Sequence, residues 1–288
     1  MIRSMTGYAR HEARFEDCVL TWEARSVNHR YLEVTVRLPE ELRGIEPACR
    51  ARAGERLGRG KVELGLRVAR DSGVPAALTV NDALIDRLTD AARRVAGRAR
   101  CSPDLRVTDL LRWPGVIDSP PPDTDALART AREALDVVLD GLVETRRSEG
   151  ERLATLLTTR CDAIAGHAAR VRAHMPQLRT AVLERLRERV TRLGVDADPG
   201  RLEQELALAA TRMDVDEELD RLDAHIAEIA SALGREEPVG RRLDFLIQEL
   251  NREANTLGSK AADTEVSHSA VELKVLIEQM REQVQNVE

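Results

Sequence analysis

A chain of 288 residues with 42% hydrophobic and 33% charged side chains is long enough for two domains or one elongated domain. With two Trp, two Tyr and two Phe its core must be Leu, Val, Ile and Ala, and a net charge of −6 excludes a uniformly basic nucleic-acid coat, so a polyanion would need a local patch. No apolar signal segment, no window near the roughly 18 apolar residues of a membrane span and no CxxC pair among the four cysteines point to a reduced, cytoplasmic protein without membrane association.

The first seventy residues predict strands. "CVLTWEARSVN" and "RYLEVTVRLP" alternate with period two, with Leu32, Val34, Val36 and Leu38 on one side. "GIEPACRARAGERLG" reads as a short helix and "KVELGLRV" as a further strand with Val62, Leu64, Leu66 and Val68 in register. The same alternation puts most of Tyr8, Phe15, Trp22 and Tyr31 in the core.

Arg25, Asn28, His29, Arg30 and Tyr31 fall in a turn between two of these strands, of the kind a hairpin uses because Asn tolerates positive φ. Residues 25–70 hold eleven basic side chains against six acidic ones, a local excess of five positive charges. Two readings stay open: a plain turn, or a site where Arg25 and Arg30 hold phosphates while His29 contacts a base or moves a proton. "GERLGRGKVE" imitates a phosphate loop, but Gly54 is one residue too far from Gly60 and Lys61, and Val62 stands where Ser or Thr would hold Mg²⁺. Arg59 and Lys61 are better read as cations at a strand start, available to phosphates.

"DSGVP" at 71–75 ends this unit, and the Pro-rich "RWPGVIDSPPPDTD" spans 112–125. The expected organisation is an N-terminal α+β domain at 1–75 carrying the basic patch, which the resemblance described below makes an RNA-binding domain, a helix and Pro-rich connection at 76–125, and a helical region at 126–288 that includes the C-terminal polar-cleft helices. The fold class is therefore α+β: a small N-terminal β-sheet domain with a packed helix, then a long, mostly helical C-terminal region.

Helical periodicity runs from Asp125 to about Leu193 with an interruption near Pro176, and restarts at "DADPG" with Asp198 as N-cap and Pro199 in the first helical position. The next helix opens on a capping box from Asp214 to Glu217 and has a seam at Val215, Leu219, Leu222, Ile226, Ile229 and Leu233. "GRRLDFLIQELNREANTLGSK", residues 240–260, has its seam at Leu243, Leu246, Ile247, Leu250, Ala254 and Leu257. Its other faces carry Asp244, Gln248, Glu249, Asn251, Arg252, Glu253 and Asn255. Amides add little to helix stability and are uncommon on a merely solvated face, so these faces point to a polar cleft. The last helix has Val266, Ala270, Leu273, Ile277, Met280, Val284 and Val287 in a four-three alternation that calls for a partner along its whole length.

Glu218 and His225 are seven residues apart at one edge of their seam, Glu249 and Glu253 four apart beside the next, and Glu272 flanks Leu273 on the last helix. If the helices pack seam to seam, these carboxylates and one imidazole can converge on a groove, a mixed oxygen and nitrogen donor set that suits Mg²⁺ or Mn²⁺. Glu249 with Arg252 and Glu218 with Arg221 also stand at ion-pair spacing, which needs no metal.

The segments "MIRSMTGYAR", "WEARSVNHRYLEV", "RLPEELR", "RGKVE", "LRWPGV", "DVDEELDRLDAHI", "GRRLDFLIQELNREANTLGSK" and "VELKVLIEQMREQVQNVE" together resemble the YicC/YloC family of bacterial endoribonucleases, end to end and in order. The resemblance implies a cytoplasmic, divalent-metal-dependent endoribonuclease acting on single-stranded or small regulatory RNA. It also implies a hexamer, with an N-terminal α+β domain and a helical C-terminal region, and association with other RNA-degrading enzymes is consistent with it. The shared motifs cover the basic set (Arg25, Asn28, Arg30, Arg59, Lys61) and the helical polar set (Glu218, His225, Asp244, Glu249, Arg252, Glu253, Asn255). At His29 some members carry Gln, which weakens His29 as a proton carrier.

The expected roles are catalysis by Glu249, Glu253 and His225, and metal binding by Glu218, His225, Glu249, Glu253 and Glu272. RNA would be held by Arg25, Asn28, His29, Arg30, Arg59, Lys61, Arg252 and Asn255. A non-catalytic RNA adaptor and a metal-independent histidine ribonuclease remain competing readings.

Overall fold

The computed structural model describes residues 2–70, 79–101, 105–118, 123–192, 199–235 and 237–288; the turn expected at 71–75 and the Asp198 cap lie outside them. Strands β1 (Gly7–Phe15), β2 (Cys18–Val27), β3 (Leu32–Arg37) and β4 (Gly60–Arg70) form one sheet in the order β1-β2-β4-β3, with α1 (Glu46–Arg56) between β3 and β4. Alternation decides the faces: Leu20, Trp22, Ala24 and Ser26 of β2 are buried, while Arg25 and Val27 are exposed. Trp22 has no exposed surface, and its Nε1 donates to the Ala131 carbonyl at 2.8 Å. Tyr8 and Tyr31, expected largely in the core, are 52% and 62% exposed.

The β2–β3 connection is not a hairpin turn. β4 lies between the two strands, antiparallel to β2 and parallel to β3, so residues 28–31 cross over the start of β4. β1, which the alternation reading did not identify, is an edge strand paired with β2.

After β5 (Thr79–Val80), α2 (Asp82–Ala99), α3 (Val107–Arg112) and β6 (Ile117–Asp118), the 69-residue helix α4 (Thr124–Arg192) serves two cores. Its residues from Leu127 to Leu142 close the inner face of the sheet, and those from Leu153 to Leu178 belong to the helical core. The division between cores therefore falls inside α4, because α1 alone cannot cover a four-stranded sheet. Pro176 does not interrupt this helix. It sits on the exposed face, and the burial of Val171, Met175 and Leu178 around it outweighs the one backbone bond it cannot donate.

Beyond α5 (Pro199–Arg212), the helices α6 (Asp216–Leu233), α7 (Gly240–Lys260) and α8 (Thr264–Val284) complete a four-helix bundle with the C-terminal half of α4. Ion pairs fix the directions. Arg172 bonds Asp220 and Asp223 while Arg179 lies 3.7 Å from Asp214 and 4.0 Å from Asp216, so α4 and α6 are antiparallel; Arg160 bonds Gln279 while His174 bonds Asp263, so α4 and α8 are antiparallel as well. Every seam residue expected on α7 and α8 is buried. The expected capping box of α6 is replaced by an Asp214 carboxylate that accepts from Asp216 N at 3.2 Å, while Glu217 pairs with Arg221. Among the described residues no helix is long and apolar enough to cross a membrane.

The chain ends are stitched to the middle of α4. Ser4 bridges Val287, Met5 N donates to Asn286 O at 2.7 Å, and Glu288 N donates to Arg3 O at 2.9 Å. Gly150 on α4 lets this strand approach, since a Cβ there would lie 2.2 Å from Ile2 O.

Candidate nucleic-acid interface and carboxylate groove

Gly60 opens β4 at φ +113°, a left-handed backbone that favours glycine, with Ser26 and Val27 at the end of β2 and the Met5 carbonyl packed against it. Asn28 Nδ2 donates to Gln285 O at 2.6 Å and Arg59 Nε to His29 O at 3.2 Å, tying the loop to the end of α8. A cleft of about 400 Å³ opens here between Asn28, Arg59, Arg241, Asp244, Gln248 and Arg281. A neighbouring hollow of about 340 Å³ adds Arg30 to Arg59 and Arg241. Four arginines from both halves of the chain thus line two adjoining hollows beside two acidic residues: Asp244, which accepts from Gln248 at 2.9 Å, and Glu288, which pairs with Arg146.

The other residues of the expected basic set divide. His29 contacts Tyr31 O at 3.1 Å and, like Lys61, lies 3.9 Å from Glu33. Arg25 is not in the cleft; with Tyr8, Arg37 and Arg67 it lines a trough of about 440 Å³ on the outer face of the sheet, where Glu23 and Glu63 offset the charge.

On α7 the two polar sets occupy opposite flanks. Asp244 and Gln248 face α8 and the cleft, and Asn251 with Asn255, bonded at 2.7 Å, continues along the helix. The carboxylates face α6 as a ladder: Lys260 to Glu218 at 2.8 Å, Arg221 to Glu253 at 3.5 Å, and Arg242 to Glu228. By helical spacing His225 continues the stripe of α6 that carries Glu218, Arg221 and Glu228, and Glu249 the stripe of α7 that carries Arg242 and Glu253, both between the Arg221–Glu253 and Arg242–Glu228 rungs. Glu249 is half-buried and, among the described residues, has Arg252 at 4.0 Å as its one ion-pair contact. Between the flanks the outer ridge of α7 carries Arg241, Phe245 and Arg252, with Phe245 59% exposed.

Glu218, His225, Glu249 and Glu253 are thus brought to one groove, whereas Glu272 is not among them. Glu272 sits by His268 and its charge acts on His167 of α4, on the α4/α8 side. By donor chemistry the groove fits a hard divalent ion, and Glu218 Oε2 is buried without a hydrogen-bond partner. Two of its four donors are nevertheless held by cations, and they do not assemble as a ready cage. Among the described residues the one such group, with ligating atoms within 4.8 Å of one another, is His174, Asp263 and Glu265.

Sequence reasoning did not single out His174, Phe245, Arg241 or Arg281. Phe245 carried a legible signal, an aromatic ring off the apolar seam of an amphipathic helix. His174 carried none, because its partner lies 89 residues away. Cys18, Cys49 and Cys161 are buried thiols, and burial pushes Cys49 and Cys161 up to about 11.

A model of the N-terminal region of YicC-like endoribonucleases matches residues 2–155, and one of their C-terminal region matches residues 127–288. The chain is 43% identical over 288 residues to a protein of Haemophilus influenzae described as a probable endoribonuclease YicC, and 30% identical over 293 residues to one of Clostridioides difficile with the same description. Both alignments cover 100% of each chain.

Proposed function

The chain belongs to the YicC-like family of endoribonucleases, and on that premise we propose that it hydrolyses single-stranded or small regulatory RNA with the help of a divalent ion, Mn²⁺ or Mg²⁺. The observation that carries this reading is the continuity across α7: an arginine cleft on one flank, a cationic and aromatic ridge, and a histidine–carboxylate groove on the other.

Phosphates of the strand are held by Arg30, Arg59, Arg241 and Arg281, while Asn28 keeps the loop against α8. The strand crosses the ridge with a base on the Phe245 ring and a phosphate on Arg252 beside Asn255. The scissile phosphate then lies over His225 and Glu249, where Glu249 orients a water and His225 moves a proton between the attacking water and the leaving oxygen. One phosphorus–oxygen bond forms to water and one bridging bond breaks. Glu218, Glu249 and Glu253 would hold the ion, which would supply an acidified water and neutralise phosphate charge, leaving His225 unligated to carry the proton. Assembly into a hexamer and a cytoplasmic role beside other RNA-degrading enzymes complete the proposal.

A second reading has an observation in its favour: Glu218 and Glu253 are already bonded to Lys260 and Arg221, as a non-catalytic RNA adaptor would leave them. Cleavage of a labelled single-stranded RNA with Mn²⁺ or with EDTA, beside Glu249→Gln/Glu253→Gln, separates the two. Loss of cleavage with chelator and in the variant, with RNA still bound, is expected. Tight binding with no cleavage under any condition supports the adaptor, and cleavage that survives both changes removes the metal mechanism.

A further inference from the structure

We propose that His174, Asp263 and Glu265 form a divalent-cation site for an ion of the Mn²⁺ or Zn²⁺ class, separate from the α6/α7 groove. The three donors come from a rigid helix, the connection after α7 and the first turn of α8. Asp263 is held by both oxygens: Oδ1 accepts from Val266 N at 2.9 Å as the cap of α8, and Oδ2 lies 2.7 Å from His174 Nε2. His174 Nδ1 lies 3.4 Å from Glu265 Oε2. One ligand atom from each residue lies within 4.8 Å of the others, a span that small rotations of the 62% exposed Glu265 close to that of donors around one ion.

Charge favours an ion over the bare triad. Two carboxylates carry two negative charges, which a protonated His174 half neutralises; a divalent ion with neutral imidazole balances them fully and releases the proton to solvent. One imidazole with two carboxylates is a mixed donor set suited to borderline ions, and three protein ligands leave positions open to water. An ion here fastens α4 to the α7–α8 connection three residues beyond Lys260, whose ammonium holds Glu218 and Asp214 O.

The test is a Mn²⁺ titration of the EDTA-stripped full chain, followed by loss of the free-ion electron paramagnetic resonance signal. The parent protein is expected to bind Mn²⁺, with affinity at least about tenfold weaker in His174→Gln and in Glu265→Gln, and one such site retained in Glu249→Gln/Glu253→Gln. Glu265 is exposed, so its variant decides the matter even where His174→Gln fails to fold. Absence of Mn²⁺ binding in the parent, or binding unchanged by Glu265→Gln, overturns the site and leaves the triad a plain ion pair. Because the readout is binding, a failure here is distinct from a failure of the nuclease reading.

Discussion

Arg146 Nη2 and Glu288 Oε2 lie 3.0 Å apart at the one place where the sheet, the long helix and both chain ends meet. Arg146 is 1% exposed and also donates to Ser4 O at 2.6 Å and Arg59 O at 3.1 Å. Burial lowers its pKa and Glu288 works against that shift, so the ion pair is what keeps a cation tolerable here. Arg146→Met should cost about 3–5 kcal/mol, since it strands Glu288 and two carbonyls. The exposed pair Arg147–Glu151 should cost under about 1 kcal/mol when broken. Urea unfolding of the two variants side by side checks the contrast.

Gly150 offers a test in which propensity and packing have opposite signs. Within a helix, Ala is favoured over Gly by about 1 kcal/mol, so Gly150→Ala would ordinarily stabilise α4. Here the new Cβ meets Ile2 O at 2.2 Å and Arg3 Cα at 2.8 Å, both backbone that cannot swing away. The expected outcome is a lower melting temperature. An unchanged or higher one would show that residues 2–4 are not stitched to α4.

The helical seams were legible because burial repeats with the helix: α7 spans Gly240–Lys260, as its periodicity reads, and its six expected seam residues are buried. β1 was not, because its inner face carries Gly7, Ala9, His11 and Ala13 before Phe15, too few large apolar side chains for the alternation with exposed Arg10, Glu12 and Arg14 to stand out. Nor does local pattern say that β4 inserts between β2 and β3, since register is set by pairing across the chain. The α6/α7 groove was half legible: spacing gave the stripes, while the cations that hold Glu218 and Glu253 depend on which helices become neighbours.

Two histidines on α4 should give stability opposite pH dependences, measured with EDTA present. The Asp263 hydrogen bond raises the His174 pKa and Glu265 adds to it, so this contribution is complete below the ordinary value near 6.5 and is lost as pH rises through the higher folded value. Burial, with Arg170 and His268, lowers the His167 pKa against Glu272; its contribution is present above about 6.5 and is lost as pH falls through the folded value. Although burial opposes it, the Val266 N–H and His174 keep the Asp263 pKa below its ordinary value, so Asp263 stays charged throughout. His174→Asn should therefore cost more at pH 6 than at pH 9, and His167→Asn should flatten the loss of stability on acidification. Urea midpoints at the two pH values read both.

The ridge of α7 separates stacking from charge. Phe245 is 59% exposed on a helix whose apolar residues are otherwise buried, so its removal should cost the fold under about 0.5 kcal/mol. Arg241 forms no ion pair among the described residues, and Arg252 is 73% exposed with only a 4.0 Å contact to Glu249. If single-stranded RNA crosses this ridge, Phe245→Ala should weaken binding by about 1–3 kcal/mol while leaving its salt dependence unchanged. Arg241→Gln and Arg252→Gln should each lower the slope of log K against log salt by about 0.7, the signature of one lost phosphate contact. Fluorescence anisotropy of a short labelled RNA over a salt series measures both quantities. A Phe245→Ala variant that binds as tightly as the parent would move the strand off the ridge, and unchanged slopes in both arginine variants would remove the route from the cleft to the carboxylate groove.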